Sequence, residues 1–269
     1  MKQILLLLLI VLVSFSACED PIPGCTHPRA MNFDASADED LGDCKFYQLT
    51  LKMNHYAVSL TGNTLTLGED LYDADGEPFF VSQMALLGSH VHLFKSGSNE
   101  ETATPESIRL YTTSGTSVDT ENSFFIASPT IDTYNIADWI ILGAYDSLQF
   151  SLGLSNDISQ TIPDSVSEQS HPLSRTAATN MYNDATGQYN SMLITISQTN
   201  SRKTFSFNIA DYFTFKLPYS VTVIDGYHVP INVRLNYHHL FDGISLTNDD
   251  STSIHTKLVQ NIPNSFSTY

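Results

Sequence analysis

The 269-residue sequence predicts an all-β fold: an antiparallel β-sandwich with a long irregular loop and a short C-terminal helix. Three observations predict it. Apolar residues recur with period two over strand-length runs, Gly, Asn and Asp turn signals separate those runs, and a helix start signal occurs only near the end. From Gln48 to His55, the residues Leu49, Leu51, Met53 and His55 share one face while Gln48, Thr50, Lys52 and Asn54 share the other, the pattern of a half-buried strand. Leu148, Phe150, Leu152 and Leu154 alternate in the same way with Ser147, Gln149 and Ser151. Phe205, Phe207 and Ile209 stand opposite Thr204, Ser206 and Asn208, and Val229, Ile231, Val233, Leu235 and Tyr237 stand opposite Asn232, Arg234 and Asn236. Turns are expected at Thr61-Gly62-Asn63, Asp75-Gly76, Ser96-Gly97-Ser98-Asn99 and Asp225-Gly226. Ser155 to Asn190 is long for a loop of a compact sandwich, and segments of that kind are often functional or disordered. At the end, Asp249, Asp250 or Ser251 can cap a helix through Gln260, with Ile254, Leu258 and Val259 on its apolar side.

Residues 1–17, MKQILLLLLIVLVSFSA, carry one Lys and an unbroken apolar run from Ile4 to Val13, as in a secretory signal too short for a stable membrane span. Phe15-Ser16-Ala17-Cys18 resembles a bacterial lipobox, which makes Cys18 the acylated first residue of the mature protein; the alternative is an ordinary cut near Ala17. Glu19 and Asp20 resemble the acidic export tag of surface lipoproteins in Bacteroidota. The expected location is the cell envelope, as an outer-membrane lipoprotein on its surface or periplasmic side. Cys25 and Cys44 bracket a Gly-, Pro-, Asn- and Asp-rich stretch of an exported chain, and so are read as a disulfide. That stretch is similar to a short motif of Bacteroidota surface proteins in Gly24, Cys25, Thr26, Pro28, Ala30, Asn32, Phe33, Ala37, Gly42 and Cys44. The expected organisation is a signal peptide over 1–17, a stapled acidic tether over 18–45 and a sandwich domain over 46–269.

With 12 basic against 29 acidic residues and a net charge of −17, the surface repels phosphate backbones and anionic headgroups. Nucleic acid is excluded as a partner on this ground, and membrane contact is expected through the lipid alone. Cations are favoured. No Gly-x-Ser-x-Gly elbow, His-Glu-x-x-His helix or phosphate-cradling glycine loop occurs, so the chain is not expected to be an enzyme.

The chemistry-bearing residues are the histidines. His55 falls on an apolar strand face, where an imidazole needs a partner: a buried hydrogen bond or a metal ion. His90 and His92 form His-x-His, which on a strand sets two imidazoles on one face about 7 Å apart. His239 continues the inward phase past Tyr237, while His238 points outward. His171 lies on the long loop and His255 on the terminal helix.

Across residues 46–269 the chain resembles the MbnP-like, methanobactin-associated family of exported copper-binding proteins. The resemblance runs through Leu51-Lys52-Met53-Asn54-His55 and Thr61-Gly62, Gly143-Ala144-Tyr145, Phe150-Ser151-Leu152-Gly153, His171-Pro172-Leu173, Met181-Tyr182, Leu240-Phe241-Asp242-Gly243, His255 and Phe266. Asn183 stands where the family has Trp, and Asn208 where it has His. The resemblance implies a β-sandwich that binds copper for acquisition or storage and has a di-haem redox partner. The expected ligands are His55, His171 and His255, converging within about 6 Å of one point, with His92 and His239 in reserve. The alternative is a non-metal binding or adhesion module that kept the fold and lost the site.

Overall fold

The computed structural model describes residues 20–57, 68–95, 97, 101–102, 107–131, 133–137, 142–224 and 227–269. The signal peptide, Cys18, Thr61-Gly62-Asn63, Ser96, Ser98, Asn99 and Asp225-Gly226 lie outside the described residues. The chain forms two compact units, Met1–Tyr47 and Gln48–Tyr269. Among the described residues no helix is long and apolar enough to cross a membrane.

Among its described residues the first unit has almost no core, with Cys25 and Ala30 as the buried hydrophobic residues. Covalent and polar contacts hold it instead. A disulfide joins Cys25 to Cys44, and Pro23–Gly24 pairs in parallel with Glu39–Asp40. Asn32 clamps the far end, its Oδ1 accepting the Lys45 N–H at 2.8 Å and its Nδ2 donating to the Asp43 carbonyl at 3.1 Å. Asp34, Asp38, Glu39, Asp40 and Asp43 are all exposed, a solvated acidic face.

The second unit is all-β. Its longer strands are β1 (Leu49–Tyr56), β2 (Pro78–Lys95), β3 (Ser107–Tyr111), β4 (Ser117–Glu121), β5 (Phe125–Ala127), β6 (Thr133–Ala137), β7 (Gly143–Leu152), β8 (Met192–Gln198), β9 (Thr204–Ile209), β10 (Phe213–Val223), β11 (Val229–Asn236) and β12 (Phe266–Thr268). A four-stranded sheet runs β6-β1-β11-β12, and an eight-stranded sheet runs β9-β8-β2-β7-β10, with β5 and two short strands also paired to β2. The predicted alternations are present, except that β7 ends at Leu152, so that Leu154 packs in a different core from Leu148, Phe150 and Leu152, and β11 ends before Tyr237. Leu49, Leu51 and Met53 of β1 and Ile231, Val233 and Leu235 of β11 meet Val81, Leu86, Phe150 and Phe215 of the larger sheet in one main core. Burial of this kind is worth roughly 25 cal/mol per Å² of apolar surface, and it is what holds the two sheets together.

Three features differ from the expectation. First, β1 and β11 pair in parallel, Leu49 opposite Val229 through Tyr56 opposite Asn236. They lie near opposite ends of the unit, so no hairpin dictates an antiparallel pairing. Second, β11 stops at Asn236, whose Oδ1 caps a helical turn, α1 (Tyr237–Leu240), by accepting the His238 N–H at 2.9 Å. His238 and His239 are both exposed on this turn, so His239 does not continue the inward phase. Third, Ser155 to Asn190 builds a core of its own: Leu154, Ile158, Val166, Leu173, Ala178, Met181 and Tyr189 pack with Leu87, Leu110, Phe124 and Leu193. This second core covers the outer face of the larger sheet. Consecutive residues of one strand are therefore buried, Leu86-Leu87 on β2 and Met192-Leu193-Ile194 on β8. The capped helix α2 (Ser251–Asn261) forms as predicted, Asp250 accepting the Ser253 N–H at 2.7 Å and Ile254 and Leu258 facing the main core.

Candidate functional site

β1 ends by pushing His55 into the main core. The ring is 8% exposed, on the face of Leu49, Leu51 and Met53 and opposite Leu235 of β11. Its Nδ1 lies 3.0 Å from the Tyr237 hydroxyl, which α1 brings inward at the close of β11. Its Nε2 is buried and has no hydrogen-bond partner among the described residues. Burial alone pulls the His55 pKa down from 6.5 to about 4, so at neutral pH the ring is neutral and retains a nitrogen lone pair. Burial likewise raises the Tyr237 hydroxyl above its ordinary range. An unsatisfied buried nitrogen costs about 1–3 kcal/mol.

His171 is equally buried but fully employed. Its Nδ1 accepts the Leu173 N–H at 3.1 Å, which places the proton on Nε2, and Nε2 donates to Asn122 Oδ1 at 2.8 Å. The ring packs edge-on against Phe124, at 5.7 Å between centroids, in the second core. Burial lowers its pKa, opposed by Glu168. His171 therefore ties the long segment to the end of β4 and has no lone pair to offer. It lines a cavity of about 650 Å³ with Asn122, Phe124, Tyr134, Ile136 and Glu168.

The predicted ligands do not come together. His55 faces the main core, His171 belongs to the second core on the other face of the larger sheet, and His255 lies half-buried on α2 with its ring 6.2 Å from Phe207 of β9. Of the reserves, His239 is exposed, and His92 is held 3.2 Å from Glu121 Oε2 on the large sheet. Among the described residues, no group of three or more His, Cys, Asp or Glu side chains is arranged to hold a metal ion. The physical reason is the sheet between the two cores, which period-two alternation cannot reveal. Asn208 is exposed on β9, on the face opposite Phe207, and Asn183 uses its Oδ1 to accept the Ala185 N–H at 3.0 Å in a turn. Neither amide replaces a missing ligand.

Sequence reasoning missed two partners, Tyr237 for His55 and Glu121 for His92. For Tyr237 a signal was present: Asn236 followed by Tyr-His-His-Leu reads as a cap and one helical turn. For Glu121 there was none, because it lies 29 positions from His92.

The sequence profile of the MbnP family matches residues 47–256. No curated protein gives a significant match. Among solved structures the chain is similar to MbnP from Methylosinus trichosporium, with a TM-score of 0.42 and 12% identity over 73% of this chain and 78% of that one.

Proposed function

The chain belongs to the MbnP family, and from that premise we propose that it is an exported cell-envelope protein that binds copper as cargo, for acquisition or storage, and is not an enzyme. His55 is the residue that would hold the ion. The observation that carries this reading is its buried Nε2, which has no hydrogen bond among the described residues while Nδ1 is oriented by Tyr237. Metal-binding imidazoles are usually arranged in this way, one nitrogen fixed by a neighbour and the other left to the metal. Copper favours imidazole nitrogen, and a neutral ring is the form that binds. His171 does not fit the part, since both its nitrogens are committed. Acylation at Cys18 would anchor the protein to the outer membrane, on its surface or periplasmic side, and a di-haem redox partner follows from the family resemblance.

Titration of the full chain with Cu(I) against a calibrated chelator tests this reading. His55→Ala is expected to lose most of the binding while His171→Ala keeps it. Equal affinity in His55→Ala and the parent would remove His55 from the site, and a parent that binds no Cu(I) would remove copper from the function. A second reading, a non-metal binding or adhesion module, is favoured by the cavity of about 650 Å³ beside His171, and it stands if the parent binds no copper. Cell fractionation of Cys18→Ala checks the anchor, since a variant that stays fully membrane-bound contradicts lipidation there.

A further inference from the structure

We infer that the cavity beside His171 is a binding site for an organic cation, a small molecule with a flat aromatic body and an ammonium group. The inference deepens the second reading above by naming the ligand, and it does not depend on copper. The place in the fold is the first observation. β5 comes from the larger sheet, β6 from the smaller and Glu168 to Ala177 from the long segment, and the cavity lies where the three meet. Hydrogen bonds fix its walls. On one side the Tyr134 hydroxyl accepts the Ser128 N–H at 2.9 Å and donates to the Ile131 carbonyl. On the other, His171 is held by Leu173 and Asn122. A pre-formed cavity of about 650 Å³ is of the size that takes small organic ligands.

The chemistry of the lining is the second observation, and it selects the ligand. Phe124, Tyr134 and Ile136 supply apolar and aromatic surface, with the Tyr134 ring 5.5 Å from that of Phe125. A flat ring buries its faces against such walls, and a cation is drawn to aromatic faces. The polar groups around His171 form one connected cluster. Asn122 Oδ1 is taken by His171 Nε2 at 2.8 Å, which leaves the Asn122 amide N–H groups as donors. Glu168, exposed at the cavity, accepts the Ser170 hydroxyl on Oε1 at 2.6 Å, which leaves Oε2 for an ammonium N–H. Among the described residues lining the cavity, Glu168 is the one acid, and there is no lysine or arginine. His171 adds no positive charge at neutral pH, since burial lowers its pKa. In a chain of net charge −17, a carboxylate or phosphate ligand would meet a like charge here and no counter-charge. An ammonium group finds both a carboxylate and ring faces.

Ligand-observed NMR titration of the full chain with tryptamine and with indole-3-acetate, which share a ring and differ in the sign of their charge, tests the site. Tryptamine is expected to bind about tenfold tighter, the worth of one hydrogen bond to a charged group. Glu168→Gln is expected to bring the two compounds to nearly equal affinity. Ala177 lines the cavity and is exposed, so Ala177→Trp fills the space without disturbing either core, and it is expected to lose both compounds. His55→Ala is expected to bind tryptamine as the parent does, so this site and the copper reading fail independently. A parent that binds neither compound, or an Ala177→Trp variant with parent-like affinity, overturns the cavity as a ligand site. Equal affinity of the parent for the two compounds overturns the cation and leaves the second reading in place.

Discussion

Two of the buried histidines of the sandwich unit, His55 beside the main core and His171 beside the second, are used in opposite ways. In the main core, where strand alternation supplies the packing, His55 keeps a nitrogen without a hydrogen bond among the described residues. In the second core, built by an irregular segment, both nitrogens of His171 are spent on Leu173 and Asn122. A segment without a sheet ladder must satisfy its backbone by other means, and a buried imidazole serves as a two-ended strut. A regular strand needs no such help, so a polar group on its inner face is free for something else. Burial alone is therefore a poor guide to which histidine carries function; what each ring nitrogen touches separates the two.

The contrast can be broken by substitutions, starting with the core that should matter most. Phe150 is fully buried and packs against Phe215 at 4.8 Å and Phe266 at 5.6 Å, joining both sheets. Phe150→Ala should lower global stability by about 4 kcal/mol in urea unfolding. A loss well under half of that would mean the main core does not hold the unit together.

Acid should act next, through His55. Its pKa is 6.5 ordinarily and about 4 in the folded protein. Between those values the unfolded chain binds a proton that the folded one does not, so stability falls as pH drops from 6.5 to 4, by about 3 kcal/mol at the end of the window. His171 and His90 are lowered in the same direction, by burial first. His55→Phe should accordingly flatten the stability–pH curve without levelling it. An unchanged slope in that variant would show that His55 is not the main acid-sensitive group.

A smaller effect is expected from Leu173→Ala in the second core, about 2 kcal/mol, since an irregular segment can partly close over the gap. The informative measurement is hydrogen exchange: protection should fall between residues 155 and 190 while β1 and β11 keep theirs. Uniform loss across both cores would merge them into one cooperative unit. The smallest effect belongs to Arg175, which pairs with Asp164 and Asp184 at 2.8 Å each and lies over the Tyr182 ring. These groups are largely exposed, and surface pairs contribute little. Arg175→Ala should leave the melting temperature nearly unchanged, and a large drop would reveal that the pins of the long segment carry its stability.

Most of the fold was legible because alternation is local: Leu49, Leu51 and Met53 report their shared face within five residues, and Asp250 reports its helix within four. The second core left a weaker trace. The runs Met84-Ala85-Leu86-Leu87 and Met192-Leu193-Ile194 break the alternation, as strands buried on both faces do. Read that way, they call for a covering layer, and Ser155 to Asn190 supplies it.

By itself the sequence determined the four alternating strands β1, β7, β9 and β11, the capped helix, the acidic surface and, through its motif order, the family. Only the tertiary structure decided which histidines stand alone and which are paired. The decisive contacts join His55 to Tyr237 across 182 positions and His171 to Asn122 across 49. Hydrogen bonds form or fail within a few tenths of an ångström, and nothing in a local pattern of apolar and polar residues records a distance between groups that only folding brings together.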